Sequence, residues 1–164
     1  MAMWVRSTVA DYEKPLTRYA AAITGDAEIA RDVVQDTFLK LCRADRPALN
    51  GRLAAWLYTT CRNGAIDVRR KSRRTNPAST DVETRAADQP SPGSAAEQKE
   101  TAGEMLRLVA LLPENQREVI RLRFQGGLKY REISEVTGLT VSNVGFLIHT
   151  AIDTIRKRMS DPDE

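Results

Sequence analysis

Histidine, cysteine and long apolar runs are what this 164-residue chain has least of. Its one histidine is His149 and its two cysteines are Cys42 and Cys61. A redox or metal role needs partners that this inventory does not supply, so no metal or other cofactor is expected. Both cysteines fall on apolar helical stripes, where the expected role is that of a buried small hydrophobe. No apolar run approaches the ~20 residues needed to cross a bilayer and no secretory leader is visible. That predicts no membrane insertion and a cytoplasmic, reducing location. Period-two alternation is missing, which excludes strands and leaves an all-α chain. A nucleophile–base pair and a glycine-rich phosphate loop are missing too, which makes an enzyme the weakest reading.

What is present is unevenly distributed. The net charge of +3 and a pI near 9.0 are only mildly basic. Yet Arg62, Arg69, Arg70, Lys71, Arg73 and Arg74 lie close together against the single acid Asp67. From Thr75 to Gly103 the balance reverses, with Asp81, Glu83, Asp88, Glu97 and Glu100 against Arg85 and Lys99. This asymmetry reads as a binding surface followed by a solvated tether.

The segment Tyr130–His149 carries the most specific local pattern. Ile133 and Val136 give one short helix an apolar face, and Ser134 is small where a second helix must approach. Gly138 ends the first helix in a left-handed conformation, Leu139 plugs the corner, and Thr140 or Ser142 caps the second. Val144, Leu147 and Ile148 follow at i, i+3, i+4 spacing. The pattern is a helix-turn-helix, whose second helix enters the major groove of DNA.

Upstream, a helix is expected from about Ser7 to Thr24, with Pro15 at a kink or restart. Gly25 then closes that helix and Asp26 caps the next. The second helix aligns Ala30, Val33, Val34, Thr37, Phe38 and Leu41 and ends near Ala44. After a loop from Asp45 to Arg52, a third helix buries Leu53, Trp56, Leu57, Thr60 and Cys61 and runs out into the basic cluster. Residues 76–96, rich in Pro, Ser, Thr and Ala, read as a flexible acidic linker. Beyond it, Met105, Leu108, Val109 and Leu112 make a helix that stops at Pro113. Another follows through Val119, Ile120, Leu122 and Phe124 to Gly126 and Gly127. The expected organisation is two small helical domains, 1–75 and 97–164.

Taken together, the two halves resemble a known family. Ile23–Asp26, the run Ala30–Leu41, Ala55-Trp56-Leu57-Tyr58 and Asn63–Asp67 with its arginine-rich tail are similar to region 2 of sigma-70 initiation factors. Leu111-Leu112-Pro113-Glu114-Asn115-Gln116-Arg117 through Arg158 resembles region 4. A chain holding these two regions alone resembles the extracytoplasmic-function (group 4) class.

The resemblance implies partners and positions. Asp32, Gln35, Asp36 and Leu39, on the side of the second helix away from its apolar stripe, would dock on a coiled coil of core RNA polymerase. Such a mixed acidic and apolar patch suits a basic helical partner. Trp56, Thr60, Asn63 and Asp67 fall along one line of the third helix, whose upper part is expected in the core. Asn63, with donors and an acceptor for a base edge, would face the single-stranded downstream promoter element. The Asp45–Arg52 loop resembles the family's loop for a flipped-out base. Asp67 has the alternative of pairing with Lys71 at i+4. Arg62, Arg69 and Arg73 share one helical face, Arg70 and Arg74 a neighbouring row, and with Lys71 they suit backbone phosphates.

The second helix of the helix-turn-helix departs from the family pattern. Thr140, Val141, Ser142, Gly145, Phe146, His149 and Thr150 are expected to face the groove, and no arginine lies between Thr140 and Ile155. The bidentate arginine–guanine contact is therefore excluded there. Ser142, Asn143 and His149 can hydrogen-bond bases or phosphates, Phe146 can pack on a thymine methyl, and Arg156, Lys157 and Arg158 offer phosphate contacts. Shape readout is a further route for this domain. The leading reading is a promoter-specificity subunit with promoter DNA and core polymerase as partners. Its rivals are a stand-alone helix-turn-helix regulator and a polymerase-binding decoy that no longer reads DNA. The sequence leaves open whether an anti-sigma factor partners it, and no built-in regulator is expected beyond Glu164.

Overall fold

A computed structural model describes residues 2–75 and 96–160, with side chains outside 96–102. Every regular element among the described residues is helical, as expected. They divide into two compact units, one centred on α1–α3 and the other on α4–α7. The linker expected at 76–96 lies outside the described residues except for Ala96, which opens α4.

In the first unit, α1 (Met3–Thr24), α2 (Ala27–Arg43) and α3 (Leu53–Thr75) pack mutually. Leu16, Leu41, Leu57, Tyr58 and Cys61 are the fully buried centre. Tyr19 meets Tyr58 edge-on, with ring centroids 5.3 Å apart. α1 begins four residues before the expected Ser7 and carries Pro15 inside one continuous helix. Ala2 provides no side-chain cap, so nothing in the local sequence announces that start. Burial of Val5 supplies the reason, because tertiary packing outweighs a missing cap. The α1–α2 corner follows local rules: Gly25 takes a φ of 77° and the Asp26 carboxylate accepts from the Glu28 and Ile29 amides at 2.8 and 3.1 Å.

The second unit comprises α4 (Ala96–Ala110), α5 (Glu114–Ile120), α6 (Tyr130–Thr137) and α7 (Val141–Ser160). Val119, Leu122, Leu128, Ile133 and Val144 form its centre. On α4 the expected stripe is only partly covered, with Leu112 buried beyond its end, Leu108 and Val109 half-buried, and Met105 exposed. After α5 the chain widens into a π-helical turn, Arg121–Gln125, closed by the Gly126 amide on the Arg121 carbonyl. Phe124, within the turn closed by that i→i−5 bond, stands exposed while Val119, Ile120 and Leu122 are buried. Leu128 takes a core place that periodicity alone did not assign.

Candidate nucleic-acid interface

The α2 candidates share an exposed face. Asp32, Gln35, Asp36 and Leu39 all lie outside the core, and Leu39 is 57 % exposed. Asp36 reaches Lys40 one turn on, at 3.3 Å. This solvent-facing pair contributes little and yields readily to a competing cation. Phe38 was expected to point inward with Val33 and Val34 but is only half-buried. It joins Val5, Val9, Val34, Leu39 and Cys42 in lining an open groove of about 380 Å³ between α1 and α2. Cys42 is exposed there, contrary to the expectation that both cysteines are buried. Helical spacing placed Phe38 and Cys42 near the apolar stripe, but α1 does not extend over them. The apolar surface beside the acids is thus larger than the sequence implied.

On α3 the core residues are Ala55, Leu57, Tyr58, Cys61 and Ala65. The expected burial of Leu53, Trp56 and Thr60 does not hold, since all three are half-exposed. The line Trp56–Thr60–Asn63–Asp67 is therefore solvent-accessible along its length, ending in exposed Asn63 and Asp67. Tyr58, two positions further on, occupies the core place that Trp56 was expected to fill. Trp56 is thereby left as a half-buried indole two turns from Asn63.

Around the α2–α3 connection, Arg46–Leu49 forms a 3₁₀ turn pinned by buried Leu49. Gly51 takes a φ of 78° to enter α3. Arg46 lies over the Trp4 ring at 5.3 Å, tying the turn to α1 while leaving Pro47, Ala48 and Asn50 exposed.

Of the basic cluster, Arg70, Lys71, Arg73 and Arg74 are exposed, and Arg62 and Arg69 are half-exposed. Lys71 pairs with Asp67 at 3.4 Å, the i+4 alternative anticipated for that acid. The arginines run along the outer half of α3 as a band whose other acids are absent.

The helix-turn-helix forms as read. Gly138 has a φ of 79°, Ser134 Oγ donates to the Leu139 carbonyl, and Thr140 is the residue that caps α7, accepting from the Asn143 amide at 3.1 Å. Glu132 closes the start of α6 by accepting from the Lys129 amide at 2.9 Å. Val144, Leu147 and Ile148 are buried, whereas Thr140, Val141, Ser142, Asn143, Phe146 and His149 are exposed. Two positions expected to face the groove turn partly away. Thr150 is half-buried, and Gly145 lies against Tyr130, where an added Cβ would sit 3.4 Å from Cε2. Arg156, Lys157 and Arg158 are exposed on the last turns, with Lys157 held to Asp153 at 3.1 Å. No helix among the described residues is long and apolar enough to cross a membrane.

An arginine-banded helical unit and a helix-turn-helix unit on one chain define an all-helical DNA-binding protein. Comparison with known proteins makes the class specific. The Sigma-70 region 2 family model matches residues 8–75 and the Sigma-70 region 4 model matches residues 102–155. The ECF RNA polymerase sigma factor RpoE of Cereibacter sphaeroides is 32 % identical over 133 residues, 81 % of this chain and 71 % of that protein. The ECF RNA polymerase sigma factor SigL of Mycobacterium tuberculosis is 30 % identical over 163 residues, covering 96 % of this chain and 89 % of its own length. SigM of Bacillus subtilis, another ECF sigma factor, is 26 % identical over 132 residues, 80 % of each chain. The chain belongs to the extracytoplasmic-function sigma factors of the sigma-70 family.

Proposed function

We propose that the protein is a promoter-specificity subunit of bacterial RNA polymerase, acting in the cytoplasm without catalytic chemistry of its own. The observation that carries this reading is the presence on one chain, in order, of a region 2 and a region 4, each with an exposed face suited to its partner. Residues 1–75 bind core polymerase through Asp32, Gln35, Asp36 and Leu39. The groove beside Phe38 and Leu39 receives apolar side chains from the same partner. Asn63 reads an unpaired base of the downstream promoter element, and the accessible part of half-buried Trp56 offers a stacking surface on the same line. Arg62, Arg69, Arg70, Arg73 and Arg74 hold the backbone phosphates of that strand, and Lys71 joins them when it leaves Asp67.

Residues 97–164 place α7 on the upstream element as duplex. Ser142, Asn143, Phe146 and His149 face the bases, while Thr140 and Arg156 lie toward the backbone. An anti-sigma factor is a further partner that membership of this class suggests.

Run-off transcription with core polymerase on genomic fragments tests the whole reading, since discrete start sites must depend on the added chain. Co-purification tests the docking face. Asp36→Arg combined with Leu39→Ala replaces two exposed side chains, so the fold should persist while core polymerase is no longer retained. A variant that still co-purifies at the wild-type level rules out α2 as the docking element.

A further inference from the structure

The α7 helix presents an unusual surface for a DNA reader. From Gly138 to Ile152 it carries no acid, lysine or arginine. Exposed basic residues lie further out on both sides, Lys129 and Arg131 before it and Arg156, Lys157 and Arg158 after it, with Glu132, Glu135 and Asp153 interspersed and Lys157 paired to Asp153. Phe146 stands at the centre of the uncharged face, 66 % exposed, with Ser142 one turn before it and His149 one turn after. Val144, Leu147, Ile148, Ala151 and Ile155 turn the opposite way into the core. Isolated exposed hydrophobics are common. This one lies on the helix whose outer face meets base edges in a helix-turn-helix, at the centre of a stretch without charged side chains.

A phenyl ring neither donates nor accepts a hydrogen bond. The thymine C5-methyl is the only methyl group, and the largest apolar group, on the major-groove edge of the base pairs. We infer that Phe146 is a specificity-determining residue that packs on a thymine methyl of the upstream element, so that this chain selects a methyl group where an arginine would select guanine. Ser142 and His149 flank the ring and supply hydrogen bonds to neighbouring base edges. The inference rests on the assignment of α7 to duplex promoter DNA.

The experiment uses holoenzyme assembled from the full chain and core polymerase. Upstream elements are first selected from duplexes randomised across that region, and a fixed thymine position is expected to emerge. Deoxyuridine at that position deletes only the C5-methyl. Wild-type holoenzyme should then bind about fourfold more weakly, the equivalent of one buried methyl group. Phe146→Ala should bind the thymine duplex with a similar loss and discriminate thymine from deoxyuridine by less than about twofold, while Phe146→Leu retains part of the discrimination. Thermal melting checks that the exposed substitution leaves the fold intact. Equal discrimination by wild type and Phe146→Ala would assign the methyl to another contact and overturn the inference. So would a wild-type holoenzyme indifferent to deoxyuridine, or a selected element without a fixed thymine. Continued initiation from the selected promoters in those cases leaves the sigma-factor reading standing, and its loss would count against that reading instead.

Discussion

Cys61 is fully buried beneath α1, with its thiol directed at the Leu16 carbonyl 3.8 Å away, whereas Cys42 is exposed on α2. Burial pushes the Cys61 thiol up to about 12, and a hydrogen bond with Thr37 only partly offsets it. In the unfolded chain a thiol ionises near 8.5. Between that value and 12 the unfolded state binds fewer protons than the folded one, so stability falls as pH rises through this window. The loss approaches about 1.4 kcal/mol per pH unit at most, and Cys61→Ala should flatten it between pH 9 and 10. A thiol titration at pH 8 should find Cys42 reactive in the native protein and Cys61 only after denaturation. Gly145 offers a second test at this scale. An alanine Cβ there meets Tyr130 at 3.4 Å, an ordinary contact, so Gly145→Ala should stabilise by up to ~1 kcal/mol through helix propensity. A lowered melting temperature would show that Tyr130 cannot accept the added methyl group.

At the scale of elements, α3 divides its length between two tasks. Its first half supplies Leu57, Tyr58 and Cys61 to the core, and its second half leaves that core as an arginine-bearing rod. Phosphate contacts and base reading should therefore separate by experiment. Arg69→Ala with Arg73→Ala should weaken promoter binding by the holoenzyme on every template. It should also reduce the slope of log affinity against log salt by between about 1.4 and 1.8, the range for two contacts on single or double strands. Asn63→Ala should leave that slope unchanged and alter which base is preferred in the unpaired strand. A uniform loss on all templates with Asn63→Ala would remove it from the set of readers.

For the molecule as a whole, two units with separate cores predict separable folding. Leu16, Leu41, Leu57 and Tyr58 centre one core, and Val119, Leu122, Ile133 and Val144 centre the other. Chains of this size bury little surface and are only marginally stable alone. Residues 1–75 and 97–164 expressed separately should nonetheless be helical and melt cooperatively, with the first fragment still retained by core polymerase. A fragment that is unfolded by circular dichroism would refute the proposed boundaries.

Local rules made several elements legible before any packing was known. A cap links residues two or three apart, so Asp26 announced the start of α2, and the sequence narrowed the cap of α7 to Thr140 or Ser142, of which Thr140 serves. A left-handed glycine closes its own helix, so Gly25 and Gly138 marked the ends of α1 and α6. The helix-turn-helix was readable for the same reason, with Ser134, Gly138 and Val144 each satisfying a neighbour within a few residues. Other features depended on what lies across from a side chain. Periodicity sets the angle at which Phe38, Cys42 and Trp56 leave their helices but not how far the neighbouring helix reaches over them. Phe38 and Cys42 consequently line an open groove, and Trp56 is only half-buried. Phe124 is exposed where one π-helical turn breaks the α-helical repeat. The identity of the helices and their turns belonged to the sequence, since those interactions close over a few residues. The width of each buried face belonged to the tertiary structure, because only packed neighbours exclude water.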